Sequence, residues 1–150
     1  MTQLSSERLR ELASEAELDL VGVAPVGPSP AWQAYRAWVA KGYADGMPYL
    51  TDPQAVERRR DPRALMPAAR TVLVVGASYA GAAHAPPQPL RGRVSRYAWR
   101  GDYHVWVLAR LRRLVDQIAV AAGHPVASRC YVDTGPILER AWAIAAGLGW

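Results

Sequence analysis

Phenylalanine is absent from this sequence of 150 residues, and cysteine and lysine occur once each, as Cys130 and Lys41. A single thiol excludes an internal disulfide, a zinc site built on several thiolates and a cysteine-ligated iron–sulfur cluster, which draws on about four cysteines. Nothing in the chemistry of the chain accounts for the missing phenylalanine; six Trp and seven Tyr carry the aromatic surface. Long apolar runs are missing too, none approaching the roughly 20 residues that cross a bilayer. The opening stretch MTQLSSERLRELASEAELDL carries acids and no apolar block, so no secretory leader and no membrane partner are expected, and the expected location is cytoplasmic.

The shortage of lysine shapes the charge. There are 18 Lys+Arg against 13 Asp+Glu, a formal net charge of +5, and the positive charge is almost entirely guanidinium. Arginine stays charged at any working pH and forks onto phosphate with paired donors. A solvated basic surface and a polyanionic partner such as nucleic acid both fit this balance. An apolar content of 51% in one chain of this length is enough for one compact domain.

Leu9, Leu12, Ala13 and Ala16 recur at helical spacing behind Ser5 and Ser6, either of which can cap a first helix. DLVGVAP (residues 19–25) reads as a short buried strand. Ser29 as N-cap, Pro30 at the first helical position and Gly42 past the end predict a second helix, with Trp32, Tyr35 and Val39 toward the core. The proline-punctuated stretch 42–70 reads as loop with short helical turns. TVLVVGASY (71–79) has the continuous apolar pattern of a strand covered on both faces. Residues 80–89 read as a flexible or extended connection. Val105, Leu108, Leu111, Leu114, Val115, Ile118 and Ala122 predict a long helix after Asp102, closed by Gly123. SRCYVD (128–133) reads as a third strand. A last helix is expected from Pro136, with Glu139 in its first turn and Gly147 at its end. Helices alternating with covered strands predict an α/β fold, with a mixed or mostly parallel sheet covered by helices and left incomplete at the C-terminus.

Three places carry candidate chemistry. Asp133 stands at the end of the expected third strand and ahead of a helix, the sheet edge where α/β folds bind ligands; helix capping is its structural alternative. A proton-donating acid at a helix start needs burial to raise its pKa. The stretch 93–106 crowds Ser95, Arg96, Tyr97, Arg100, Tyr103 and His104 around Asp102, a mixture of donors and aromatics suited to a nucleotide or other large polar ligand, or equally to packing and capping. ERRRDPR (57–63) offers four guanidiniums to phosphates or carboxylates, or to water. Cys130 reads as a buried structural thiol. His84 and His124 lie in loops without ligand-like neighbours, so no metal is assigned to them.

Five stretches in this order resemble the N-terminal region of epoxyqueuosine reductases: VGVAP (21–25), GYADGMPYL (42–50), RRDPRALMPAAR (59–70), VSRYAWRGDYH (94–104) and VDTGPILERAWAIAAGLGW (132–150). One departure is the glycine of Ala98-Trp99-Arg100-Gly101-Asp102, shifted by one place from the family pattern. The resemblance implies an α/β cobalamin-binding domain over residues 1–150. It also implies a reaction in which the epoxide of epoxyqueuosine, in the anticodon of tRNA, is reduced to queuosine. The electrons would reach cobalamin through two [4Fe–4S] clusters in a following ferredoxin-like domain, which this sequence lacks. It implies that Asp133 gives a proton to the opening epoxide oxygen, that Arg59, Ser95 and Asp133 lie against cobalamin, and that Arg96, Tyr97, Asp102, Tyr103 and His104 help line the pocket. The chain alone is expected to be inactive as a reductase, and the family likeness suggests a monomer. Two other classes remain open on the residues themselves: a tRNA-binding domain without catalysis, and a flavin-dependent reductase with a related core.

Overall fold

The computed structural model describes residues 4–80, 90 and 92–150. The connection expected over 80–89 lies outside these residues except for Ala80, as does His84. Helix α1 (Ser6–Glu15) is capped by Ser5, whose side chain accepts a hydrogen bond from the Arg8 amide. Strand β1 (Leu20–Pro25) follows, then α2 (Trp32–Ala40), the short α3 (Pro48–Thr51) and α4 (Pro53–Arg60). A 3-10 turn (Pro62–Ala64) leads into strand β2 (Thr71–Gly76). A second 3-10 turn (Arg96–Arg100) precedes the long α5 (Tyr103–Ala122), and α6 (Glu139–Ala145) is the last helix. Among the described residues, no helix is long and apolar enough to cross a membrane.

The apolar face of α1 buries Leu12, Ala13 and Ala16 against Leu114, Ile118 and Ala121 of α5, together with Val21, Leu73 and Val75 of the sheet. Leu12 and Leu114 are the largest side chains fully withdrawn from water. Helix α5 starts where its sequence says it should: the Asp102 carboxylate accepts the His104 amide, and Gly123 takes the left-handed conformation (φ 75°) that ends it.

The sheet corrects the expected fold class. Among the described residues it has two strands, β1 and β2, and they run antiparallel, Leu20 opposite Gly76 and Pro25 opposite Thr71. A mixed or mostly parallel sheet is therefore not what is found. Covered strands carry the same apolar pattern in either direction, so periodicity does not report strand direction. Residues 128–133 are not a strand either; they run as irregular chain into a bend. Helix α2 begins two residues later than expected. Ser29 is buried and donates its amide to the Arg60 carbonyl at 2.7 Å rather than capping α2. Trp32, Tyr35 and Val39 are half-buried.

Side chains alternate across the pair. Val21, Leu73 and Val75 face α1 and α5, while Gly22 faces the end of α6. A Cβ on Gly22 would sit 2.6 Å from the Ala146 carbonyl oxygen and 2.9 Å from the Leu148 side chain. Backbone cannot give way as a flexible side chain would. Gly22→Ala is therefore expected to cost about 1–3 kcal/mol, read as a lower urea midpoint at unchanged slope. An unchanged midpoint would mean that α6 does not press on this strand.

Candidate functional site

Two segments distant in sequence meet at Asp133. The head of α5 supplies Tyr103, whose hydroxyl donates to Asp133 Oδ2. The bend at residues 132–137 supplies Asp133 itself, held in the left-handed region (φ 55°), a conformation that Asp tolerates better than most residues. Six residues on, Glu139 turns back from the first position of α6, and its Oε1 accepts the Asp133 amide at 3.0 Å. The N-cap of α6 is Leu138, so Asp133 does not cap that helix.

The electrostatics divide the two carboxyl groups. Hydrogen bonding to Glu139, and then to Tyr103, holds the Asp133 carboxyl below the usual carboxylate range. Burial first, and the neighbouring Asp133 second, push Glu139 up to about 7. The Tyr103 phenol is pushed up to about 12, chiefly by its bond to the Asp133 carboxylate. Two carboxyl groups in contact do not both ionise readily, and here the exposed one carries the charge while the half-buried one keeps the proton.

The rest of the α5 head is arranged around this contact. The His104 ring stacks on Tyr103 at 4.1 Å, and its Nδ1 lies 2.7 Å from Asp102 Oδ1. That bond holds Asp102 below its ordinary value. Tyr97, in the 3-10 turn, packs edge-on to Tyr103 at 5.5 Å and to Tyr79 at 6.2 Å. Ser95 and Arg96 are exposed at the start of that turn.

Arg59 lies elsewhere and is buried, 7% exposed. Its guanidinium donates to the carbonyls of Tyr49 and Ala55 and sits 5.8 Å from the centre of the Tyr35 ring, tying α2, α3 and α4 together. The other arginines of 57–63 are engaged separately: Arg60 with Glu57 at 3.1 Å, Arg63 with Asp61 at 2.5 Å, and Arg58 with Gln54. They do not form one clamp. The C-terminal end of α4 is nevertheless connected to the site. The Arg60 carbonyl holds Ser29, and the next residues, Pro30 and Ala31, share one open cleft of about 480 Å³ with Asp133, Ile137, Leu138, Glu139, Ile144 and Trp150. Cys130 is half-buried, and burial pushes its thiol up, as an inert thiol requires.

The structure thus brings together Tyr97, Asp102, Tyr103, His104 and Asp133, and leaves Arg59 in a separate knot of helices. Glu139 was not among the residues singled out for chemistry. Its position in the first turn was legible, but its contact with Asp133 depends on the bend through Thr134, Gly135 and Pro136. The available signal was spacing: an acid six residues beyond another, with Gly-Pro between, can fold back on it.

Comparison with known proteins is consistent in one direction. Residues 59–134 match the family described as epoxyqueuosine reductase QueG, DUF1730. The chain is similar to the epoxyqueuosine reductase of Synechocystis, 40% identical over 133 residues, covering 87% of this chain and 44% of that protein. It is similar to that of Xanthomonas campestris, 34% identical over 151 residues, covering 97% and 42%. The solved structure of epoxyqueuosine reductase from Streptococcus thermophilus superposes with a TM-score of 0.76 over 96% of this chain and 39% of that one, at 22% identity, and shares the fold. The chain therefore spans less than half the length of the relatives it matches.

Proposed function

Because the chain belongs to the epoxyqueuosine reductase family, a family of oxidoreductases, we propose that it forms the cobalamin-facing part of such an enzyme, with Asp133 delivering protons to the epoxide oxygen of epoxyqueuosine in tRNA. The observation that carries this reading is the Asp133 carboxyl, oriented by Tyr103 and backed by Glu139 at the wall of an open cleft. A general acid needs a fixed position and a proton within reach, and this arrangement supports both.

The same cleft supports the cofactor. A flat corrin requires an open, largely apolar wall with few polar groups, and Ala31, Ile137, Leu138 and Ile144 beside the charged cluster of Asp133, Glu139 and Arg140 have that character. Asp133 and Ser95 would hold it directly, and Arg59 would do so through the segment it anchors. Reduced cobalamin, when bound, would supply the electrons that open the epoxide. The chain's own residues do the rest. Tyr103 keeps its proton and fixes Asp133 Oδ2; His104, pinned by Asp102, stacks on the Tyr103 ring, and Tyr97 packs edge-on against it. Arg96 and the remaining exposed guanidiniums fit a tRNA backbone, and a cytoplasmic location and monomeric state fit the family.

The test is a chimera in which this chain replaces the matching segment of the Synechocystis enzyme. Loaded with cobalamin and reduced, it is expected to convert epoxyqueuosine-containing tRNA to the queuosine form, read by mass spectrometry of released nucleosides. A folded, cobalamin-loaded chimera without turnover, binding tRNA only through a salt-sensitive contact, would favour a tRNA-binding domain instead.

A further inference from the structure

Resting on that reading and deepening it, we infer that Glu139 is the proton store of the site, supplying through Asp133 both protons that removal of an epoxide oxygen consumes. Reducing an epoxide to an alkene takes two electrons and two protons and releases the oxygen as water. The electrons come from a low-potential one-electron donor of the iron–sulfur class. The protons come through the protein, and a single aspartate carries one at a time.

The geometry assigns the supply. Asp133 Oδ2 accepts from Tyr103, its amide donates to Glu139 Oε1 at 3.0 Å, and the Glu139 and Asp133 carboxyls are themselves hydrogen-bonded, which puts the Glu139 proton beside the Asp133 carboxylate. Both residues line the same cleft, with Glu139 half-buried behind and Asp133 exposed in front. The other groups near the pair are poor sources. Tyr103 holds its proton up to about pH 12, and His104 Nδ1 is engaged by Asp102. Glu139 keeps its proton to about pH 7, and so solves the difficulty that Asp133 rests ionised. As charge develops on the substrate oxygen, the Asp133 carboxylate takes the proton from Glu139 and passes it on to that oxygen, which leaves Asp133 ionised as before and Glu139 deprotonated. Water then reprotonates Glu139, and the relay runs a second time. Glu139 never touches the substrate; it is a positioning residue acting through Asp133.

Two measurements test the inference. In the chain itself, carbon-13 titration of the side-chain carboxyls is expected to place Glu139 near 7 with Asp133 below the usual range. Linkage gives a second readout on the same material. A carboxyl with a folded pKa above its unfolded value binds an extra proton in the folded state between the two. The stability it contributes is complete below the ordinary glutamate value and is lost as pH rises through about 7. Glu139→Gln should flatten that fall in unfolding midpoint between pH 5 and 8.

In the chimera, Glu139→Gln keeps an acceptor for the Asp133 amide but has no proton to give. Its turnover is expected to fall by about tenfold or more, and the decline of rate with rising pH around 7 should vanish. Glu139→Asp should restore part of the rate and the pH limb. Wild-type rate with an intact limb in Glu139→Gln overturns the inference. So does a Glu139 carboxyl titrating at its ordinary value, which decides the matter even if that variant fails to fold. The underlying reading fails separately, when Asp133→Asn turns over normally.

Discussion

Asp133→Asn in the Synechocystis chimera is expected to lower the rate of epoxide reduction by roughly 10²–10⁴-fold, the range that a positioned general acid contributes. The substitution isolates the proton from the structure around it. Asn has the same size, its amide oxygen can accept from the Tyr103 hydroxyl, and its backbone tolerates the left-handed conformation at φ 55° as well as Asp does. Its main-chain amide still reaches Glu139 Oε1. The fold and the cleft should therefore survive, and what disappears is a group that ionises. An independent signature accompanies the loss. The Tyr103 phenol stands at about 12 chiefly because it donates to the Asp133 carboxylate, so removing that charge should return it toward an ordinary tyrosine, visible in an ultraviolet titration of the chain. Single-turnover conversion measured by mass spectrometry decides the main point. An undiminished rate in a variant whose Tyr103 has shifted would show that the carboxyl is positioned as described and yet is not the acid.

Much of this arrangement could be read from the residues, and the parts that could not fail for identifiable reasons. Signals confined to one turn of chain were reliable. Ser5 caps α1, Asp102 caps α5, Gly123 ends α5, and the apolar period of α5 buries Leu114 as its spacing requires. Each cap is a contact between residues only a few positions apart, and the apolar period of α5 is likewise a pattern within one segment, even though Leu114 packs on distant α1. Signals that depend on a partner elsewhere were not reliable. SRCYVD has the composition of a strand, but strand propensity expresses fit to a neighbouring strand, and residues 128–133 run as irregular chain into a bend. Ser29-Pro30 has the form of a helix start, yet the amide of Ser29 is taken by Arg60, thirty-one residues away, and the helix waits until Trp32. The site divides in the same way. Asp133, Tyr103 and His104 stood out because their motifs resemble a known family. Glu139 did not, since its importance lies in a contact made across a bend and in a burial that composition does not report.

Leu114→Ala is expected to have the largest effect on stability, about 2–5 kcal/mol, which is a large share of the roughly 5–15 kcal/mol that holds a domain together. Leu114 is 0% exposed where α5 crosses α1, packed in one cluster with Leu12, Ala13, Ala16 and Leu18. Deleting its side chain removes its burial energy and leaves a cavity that two helices and a sheet cannot easily close. Leu114→Met, which nearly conserves volume, should cost less than about 1.5 kcal/mol and serves as the control. The consequence reaches the site through helix geometry. Tyr103 is eleven residues before Leu114, about three turns, so the two lie on nearly the same face of α5 and about 16 Å apart along its axis. The packing that fixes the rotation of α5 at Leu114 therefore also fixes the direction in which Tyr103 meets Asp133. In Leu114→Ala, a folded protein with a loosened α5 should show a lower denaturant midpoint together with a Tyr103 phenol moved down from about 12. A loss of stability below about 1 kcal/mol would place the weight of the core elsewhere. A large loss with Tyr103 unmoved would mean that the head of α5 is held by its own contacts with Tyr97 and Asp133, independent of the helix behind it.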